Sequence, residues 1–313
     1  MDYEGQICRT PMERASFMLP VTVGCPYNRC KFCNLFRHLK YRNLPMNQIE
    51  EELNRVKGLG GNPKRVFLGD GNAFELETEH LMEILDLIHK YFPGCDAVNM
   101  DATVTSILRK TDDELKKLYE NGVRHLYIGI ESGLDEVLIF MNKDHNIQEA
   151  YEAIERLHAA GMIYDAHIMT GVAGHGRGIE NAEALAYFLN STHPAHVVNF
   201  SMFLSKEVPL YEDIEKGRFK PADEVENMKE EYRLLELLAS VKENEDCKIK
   251  YDGFHDYIKV RTRGTLPDDR EKMLLHLRKE IERFKGKEKI YSFVYGQCPN
   301  LSKCDGNEDI WIK

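Results

Sequence analysis

Three cysteines of this 313-residue chain lie within nine residues, in the segment GCPYNRCKFCNLFR. Cys25, Cys30 and Cys33 have the spacing Cys-x4-Cys-x2-Cys. A structural zinc site needs four ligands, but the other close pair, Cys298 and Cys304, lies in a distant polar tail with five residues between its members. Three thiolates without a fourth partner suit an iron–sulfur cluster in which one iron stays open to a small chelating ligand. The loop therefore predicts such a cluster rather than a chance group of cysteines.

The segments around this loop predict alternating strands and helices. Apolar, β-branched runs predict six strands, at residues 16–24, 64–72, 97–103, 125–133, 164–174 and 196–204. Periodicity and end signals predict five helices: 46–58, across 81–88, from the cap Thr111 to Gly122, from the cap Asn146 to Gly161, and 178–190.

This alternation implies parallel βαβ crossovers. Six units are too few to close an eight-stranded barrel. The predicted fold is therefore α/β, a partial (βα)6 TIM-like barrel over residues 1–205. Residues 206–313 form a C-terminal α+β accessory segment that covers or flanks the barrel.

Polar and glycine-rich motifs follow the predicted strands at their carboxyl ends. They are Gly69-Asp70-Gly71, Asp101, Glu131-Ser132, and His167 with Gly171. Each has an ordinary structural explanation, such as a turn for Gly-Asp-Gly or a satisfied core position for His167. Active sites of α/β barrels lie at the carboxyl ends of the strands, so we expect these motifs to meet the cysteine loop at one rim.

These motifs resemble those of the radical S-adenosylmethionine (radical SAM) superfamily. The most similar branch contains the oxygen-independent coproporphyrinogen oxidases, the tRNA methylthiotransferases and the Elongator catalytic subunit. The motifs cover about residues 17–205, and residues 206–285 are similar to an accessory segment of uncharacterised members. The usual family loop is Cys-x3-Cys-x2-Cys, so this chain has one extra residue in the first interval without losing a ligand.

The resemblance implies two cofactors, a [4Fe-4S] cluster and S-adenosylmethionine (SAM). Cys25, Cys30 and Cys33 would ligate three irons, and the amine and carboxylate of SAM would bind the fourth. Phe32 matches the aromatic residue that lies near the adenine.

The resemblance also implies contacts to SAM from the strand ends. The backbone of Gly69-Asp70-Gly71 would receive the methionine amine, with Asp101 nearby. Glu131 matches a residue at the ribose, with Ser132 beside it. The remaining two positions are Lys143, for the SAM carboxylate, and His167, where some relatives have a ribose-binding Asp. Lys143 keeps a positive charge but lacks the bidentate fork of Arg.

The reaction that the resemblance implies needs no protein acid or base to generate the radical. One electron reduces the sulfonium of SAM, a carbon–sulfur bond breaks, and the resulting 5′-deoxyadenosyl radical abstracts hydrogen from a substrate. The cofactors carry this chemistry, while the protein orients them and excludes water. The three cysteines are therefore the predicted catalytic residues, and a reductant such as flavodoxin or ferredoxin is the predicted partner.

The region after the sixth predicted strand supplies candidate substrate contacts. These are Asp252, His255 and Tyr257, together with Arg261 and Arg263 on one face of a strand, where they could hold a phosphate or carboxylate. The structural alternative is a surface hairpin packed beneath the barrel. In the tail, Cys298 and Cys304 are predicted to be free thiols; a second cluster that includes Cys247 or Cys8 is the alternative.

Charge narrows the class of substrate. The chain has a net charge of −10, with −12 in residues 1–240 and +2 in residues 241–313. A duplex nucleic-acid binder should instead be basic. We therefore expect a small-molecule substrate such as a nucleotide, a modified base or a tetrapyrrole-related compound, with a lyase reaction of the queuosine-salvage type as one possibility. The N-terminus has no signal-peptide pattern and no run could span a membrane, so a cytoplasmic protein is expected.

Two other functions stay open at this point. The slightly basic C-terminal third also fits a tRNA- or peptide-modifying radical SAM enzyme. A non-catalytic iron–sulfur carrier or sensor would need the cysteine loop alone. The sequence does not reveal the product, whether SAM is regenerated, or the oligomeric state.

Overall fold

A computed structural model describes residues 9–238 and 248–292 of the chain. Its strands are β1 (Phe17–Pro20), β2 (Thr22–Val23), β3 (Arg42–Asn43), β4 (Arg65–Gly69), β5 (Ala97–Ala102), β6 (Val123–Glu131), β7 (Ile163–Thr170), β8 (His196–Ser201), β9 (Ile249–His255) and β10 (Val260–Leu266). Eight of them form one sheet in the order β1-β4-β5-β6-β7-β8-β9-β10. All neighbours in this sheet are parallel except β9 and β10.

Helices connect the parallel strands. They are α1 (Met46–Gly58), α2 (Thr78–Tyr91), α3 (Val104–Leu108), α4 (Asp112–Glu120), α5 (Asp135–Phe140), α6 (Ile147–Ala160), α7 (Gly178–Thr192), α8 (Pro209–Glu215), α9 (Glu224–Leu237) and α10 (Arg270–Phe284). The predicted caps are present, since the Thr111 and Asn146 side chains each accept from the backbone three residues on. Among the described residues, no helix is both long and apolar enough to cross a membrane.

The predicted fold class is confirmed, with two corrections. The first predicted strand is two strands, because Pro20 has no N–H to continue the ladder and Val21 donates instead to the Gly69 carbonyl. β2 then leaves the sheet and pairs antiparallel with β3. The second correction concerns the accessory segment: its hairpin is not packed beneath the barrel, because β9 pairs with β8 and extends the same sheet. The division at residue 205 stays a prediction, although both parts contribute strands to one sheet.

The two faces of the sheet differ in composition. Alternate strand residues such as Val98, Leu126 and Ala166 are fully buried in the apolar core. The other face carries a row of aromatic rings contributed by five strands. Ring centroids are 5.2–6.0 Å apart along the series Phe67, Tyr127, His167, Phe200 and Phe254. We call this second face the inner face of the partial barrel.

Residues before β1 also contact the inner face. Glu13, which is almost completely buried, accepts a hydrogen bond from Asn99 Nδ2 (2.6 Å) and another from the Tyr127 hydroxyl. Thr10 Oγ1 lies 3.5 Å from His167 Nε2. The segment that precedes β1 thus occupies part of the space enclosed by the sheet.

A buried polar network joins α9 to the hairpin. His255 is fully buried, and its Nδ1 and Nε2 each lie 2.8 Å from a carboxylate, that of Glu224 and that of Glu231 respectively. Burial alone would lower the pKa of His255, but the two carboxylates raise it to about 10. The imidazolium therefore neutralises charges that would otherwise be buried without compensation.

Replacing this histidine tests the network. We expect His255→Gln to lower the free energy of unfolding by about 3 kcal/mol at pH 6, because two buried carboxylates lose their cation. The folded-state pKa is raised, so the stabilisation is complete below pH 6.5 and declines as the pH rises towards 10. Urea unfolding at several pH values measures both effects. His38→Gln, at an exposed position, is the control; equal effects of the two substitutions would contradict the account.

Candidate cluster and SAM site

The cysteine loop follows β2 and lies against the turn after β4. Gly71 has φ +61°, and a Cβ atom at this position would lie only 2.3 Å from the Gly24 carbonyl oxygen. The backbone N–H of Gly71 donates to Asp70 Oδ1 (2.9 Å), while the Thr22 hydroxyl donates to the Asp70 carbonyl. A side chain at residue 71 would therefore separate the two loops.

The three loop cysteines are free thiols in half-buried positions. Burial raises the pKa of Cys30 to about 12, although the nearby Lys143 ammonium acts in the opposite direction. The pKa values of Cys25 and Cys33 are also raised, again chiefly by burial. Buried thiols of high pKa become thiolate ligands when a cation binds them.

The three thiols supply the donor set of an iron–sulfur cluster. Each of three thiolates from one loop can bind a different iron, which leaves the fourth iron open. The donor set therefore fits the group that the spacing predicted.

Hydrogen bonds fasten the loop to its surroundings. The Arg37 guanidinium donates to the carbonyls of Cys30 and Cys33, the latter at 2.7 Å. The N–H of Lys31 donates to the Met141 carbonyl (2.9 Å), just after α5. Arg37 was not among the predicted site residues, because its partners are backbone carbonyls that no residue type marks in a sequence.

Lys143 is the buried cation of the site. Its side chain is only 6% exposed, and Nζ lies 3.4 Å from Glu131 Oε1 and 3.7 Å from Asp144 Oδ1. Burial alone would lower the pKa of Lys143, but Glu131, Cys30 and Asp144 raise it above its ordinary value. Lys143 in turn offsets part of the rise that burial causes in the pKa of all three loop thiols. The predicted positions Glu131 and Lys143 thus meet beside the cysteine loop.

Glu131 reaches Lys143 through an irregularity at the end of β6. The register between β6 and β7 shifts between Gly129 and Glu131, and Glu131 has φ +62°. A Cβ on Gly129 would lie 2.6 Å from Glu131 Oε1 and 3.3 Å from Lys143 Nζ. The absence of a side chain at Gly129 therefore leaves the space that this ion pair occupies.

Carboxylates gather on the inner face near the turn after β4. The pKa of Asp101 is raised to about 8, first by burial and then by the negative charges of Asp70 and Glu13. A cationic group such as an amine would relieve this repulsion. Glu13 was not among the predicted site residues, because it precedes the first strand and no motif marks it.

His167 lies farther along the inner face, between Tyr127 and Phe200 in the aromatic row. Burial lowers its pKa to about 4, despite the opposing effect of Asp165. The neutral imidazole can donate one hydrogen bond and accept another. This position is compatible with the predicted contact to a hydroxyl.

Two further predicted cofactor contacts have partners within the protein. Ser132 is fully buried, and its hydroxyl donates to Asn181 Oδ1 (2.6 Å) and accepts from the N–H of Leu134 (3.1 Å). These bonds join the end of β6 to α7. Phe32 packs against the apolar cluster that contains Met141.

The predicted substrate contacts divide into buried and exposed residues. His255 is held in the network described above, and Asp252 pairs with His196 (2.9 Å) and with Arg263. Arg261 lies over the Phe254 ring (4.3 Å) and pairs with Asp256 (2.6 Å).

Exposure separates the remaining candidates from His255. The Arg263 side chain is 72% exposed, and Tyr257 is exposed in the turn before β10. Cys8, Cys247, Cys298 and Cys304, and with them the alternative of a second cluster, lie outside the described residues.

The comparison with known families decides the class of this site. The model of the radical SAM superfamily matches residues 19–189. The chain belongs to the radical SAM superfamily. Enzymes of this superfamily use a [4Fe-4S] cluster and SAM, so these are the cofactors, as predicted.

Individual relatives are distant. The heme chaperone HemW of Bacillus subtilis (strain 168) is 23% identical over 238 residues, which are 74% of this chain and 58% of HemW. Methylornithine synthase (PylB) has a similar structure, with a TM-score of 0.52 and 16% identity over 71% of this chain and 63% of that protein. Elp3 of Methanocaldococcus infernus gives a TM-score of 0.50 and 16% identity, over 76% and 56%. The chain thus spans less than two thirds of each, and the structural likeness shows a shared fold.

The contact between Gly71 and the cysteine loop can be tested by substitution. We expect Gly71→Ala to lower the free energy of unfolding by about 2 kcal/mol and to reduce the iron bound after reconstitution, because a Cβ and the positive φ are both unfavourable. Urea unfolding and iron analysis measure these effects. Gly58→Ala is the control, since no atom lies within 4 Å of the added Cβ and the residue ends a helix. Full iron content in Gly71→Ala would contradict the proposed contact.

Proposed function

We propose that this protein cleaves SAM reductively to a 5′-deoxyadenosyl radical that abstracts hydrogen from a small-molecule substrate. One observation carries the proposal: the three free thiols of the loop lie beside the buried Lys143–Glu131 pair. The bound cluster and SAM supply the electron transfer and the carbon–sulfur cleavage. The chain itself binds, orients and shields the reacting groups.

Each proposed role follows from the charge of a side chain and its place. Lys143 attracts the SAM carboxylate, because it is a buried ammonium next to the thiols. Asp101 and the turn at Asp70-Gly71 are proposed to hold the methionine amine, because burial and the carboxylates of Asp70 and Glu13 raise the pKa of Asp101, and a bound ammonium would lower it. Glu131 and His167 are proposed to form hydrogen bonds to ribose hydroxyls. Phe32 remains the proposed contact to the adenine. Ser132 is proposed to position Glu131 indirectly, because its hydrogen bond to Asn181 holds the end of β6 against α7.

The substrate is proposed to bind on the inner face towards β9 and β10. Arg261 and Arg263 provide two guanidinium groups there, and Asp252 holds one of them. Guanidinium groups suit phosphate or carboxylate, so a nucleotide or a modified base fits, as in a queuosine-salvage lyase reaction. His255 is proposed to support this wall rather than to touch substrate.

A tRNA-modifying activity is the second candidate. A groove of about 430 Å³ between β10 and α10 is lined by basic residues and would suit an RNA backbone. They are Arg261, Arg263, Lys272, His276 and Lys279. The net negative charge of the whole chain favours a small-molecule substrate over RNA.

A carrier or sensor function would leave the SAM contacts without a role. A cytoplasmic location, which suits an oxygen-sensitive cluster, completes the proposal.

Substituting the cysteines tests the proposed reaction. After anaerobic reconstitution and reduction with dithionite, the wild-type protein with SAM should form 5′-deoxyadenosine, detected by mass spectrometry. Cys25→Ser, Cys30→Ser and Cys33→Ser should each lower this product at least about 100-fold, because one iron loses its thiolate.

Cys95→Ala provides the matched control. Cys95 is buried and donates to the Ala97 carbonyl (3.5 Å), before the start of β5 and thus at the opposite end of the sheet from the loop. This variant should keep its iron and its product. Equal loss of iron in Cys95→Ala, or product from the loop variants, would contradict the assignment.

A further inference from the structure

Positive charge is concentrated in the cysteine loop and the residues just after it. Residues 25–45 contain five Lys or Arg residues and no Asp or Glu, although the whole chain has a net charge of −10. The five are Arg29, Lys31, Arg37, Lys40 and Arg42. The chain therefore has a basic segment at the position of its cluster. We call residues 29–42 the basic loop.

Several side chains of the basic loop face the solvent. Arg29, His38 and Lys40 are exposed, and the Lys31 side chain is 28% exposed. Leu35 is 48% exposed, which places an apolar side chain among these cations. An apolar centre with a charged rim is typical of protein–protein interfaces.

Arg218, which follows α8, adds one cation beside the basic loop. Lys31 Nζ lies 2.8 Å from Asp213 Oδ2, and the other oxygen of Asp213 binds Arg218 (2.5 Å). One carboxylate thus serves two cations, so this group keeps a net positive charge. Arg218 is half-exposed.

We propose that the basic loop is the docking surface for an acidic one-electron-donor protein of the flavodoxin or ferredoxin class. The inference rests on the proposed function, because each reductive cleavage of SAM takes up one electron. In this step the donor loses one electron and the cluster gains it, and no covalent bond forms or breaks. Opposite charge accelerates the encounter of two proteins, and here the attractive surface includes the cysteine loop itself.

The location of the charge distinguishes this partner from other anions. Arg37 binds the carbonyls of Cys30 and Cys33, so a protein that contacts this loop comes close to the thiolate ligands. Electron transfer needs that closeness, whereas binding of an RNA backbone does not. The groove between β10 and α10 provides a second basic surface on a different part of the sheet and hence an internal control.

Charge reversal on the two surfaces tests the proposal. The test pair is Arg29→Glu with Lys40→Glu, and the control pair is Lys272→Glu with Lys279→Glu; all four residues are exposed. Calorimetry with an acidic flavodoxin, at low and at physiological salt, measures the dissociation constant. Stopped-flow spectroscopy measures cluster reduction by the flavodoxin hydroquinone. An acidic ferredoxin is tested in the same way.

We expect the test pair to weaken donor binding and to slow cluster reduction by about tenfold or more, with a smaller salt dependence. The control pair should change both by less than about twofold. Product formation with dithionite should stay normal in all variants, because a small reductant does not need the docking surface.

Other outcomes separate the failure of this inference from failure of the proposed function. If the wild-type protein forms no 5′-deoxyadenosine with dithionite and SAM, the proposed function is wrong. With that product intact, equal effects of the two pairs, or no binding of either donor, would overturn the docking surface. Retained donor binding in the test pair together with lost binding of a tRNA probe would assign the basic loop to RNA instead.

Discussion

The buried ammonium of Lys143 connects the elements on which the site depends. It lies between Glu131 at the end of β6 and Asp144, and it acts on the three thiols of the loop after β2. A buried cation is stable only with such partners. Charge balance therefore requires the strand end, the segment after α5 and the cysteine loop to stay together. On the inner face, burial and the carboxylates of Asp70 and Glu13 raise the pKa of Asp101, and we expect an amine to bind there.

Much of the fold could be predicted from local patterns. The 3.6-residue period and the caps at Thr111 and Asn146 identify helices that the structure contains, because both signals arise within a few residues. Parallel strands separated by such helices imply a common carboxyl edge. For that reason Glu131 could be predicted to lie near the cysteine loop, whereas Lys143 was predicted only from the family resemblance.

The remaining features depend on contacts that local patterns do not encode. Ser132 follows Glu131 directly, but its hydroxyl binds Asn181 Oδ1 of α7, a partner that the sequence around β6 does not identify. His255 and Glu13 are polar residues whose burial depends on partners far along the chain. The addition of β9 and β10 to the sheet likewise depends on pairing across long sequence distances.

The central claim is that three thiolates leave one iron open and that SAM binds there. Electron–nuclear double resonance of the reduced cluster, with SAM labelled by ¹⁵N in its amino group, tests this most directly. The account predicts a ¹⁵N coupling and a changed electron paramagnetic resonance spectrum on addition of SAM, both lost in Cys30→Ser. A protein with about four irons per chain whose spectrum is identical with and without SAM, and without ¹⁵N coupling, would contradict it.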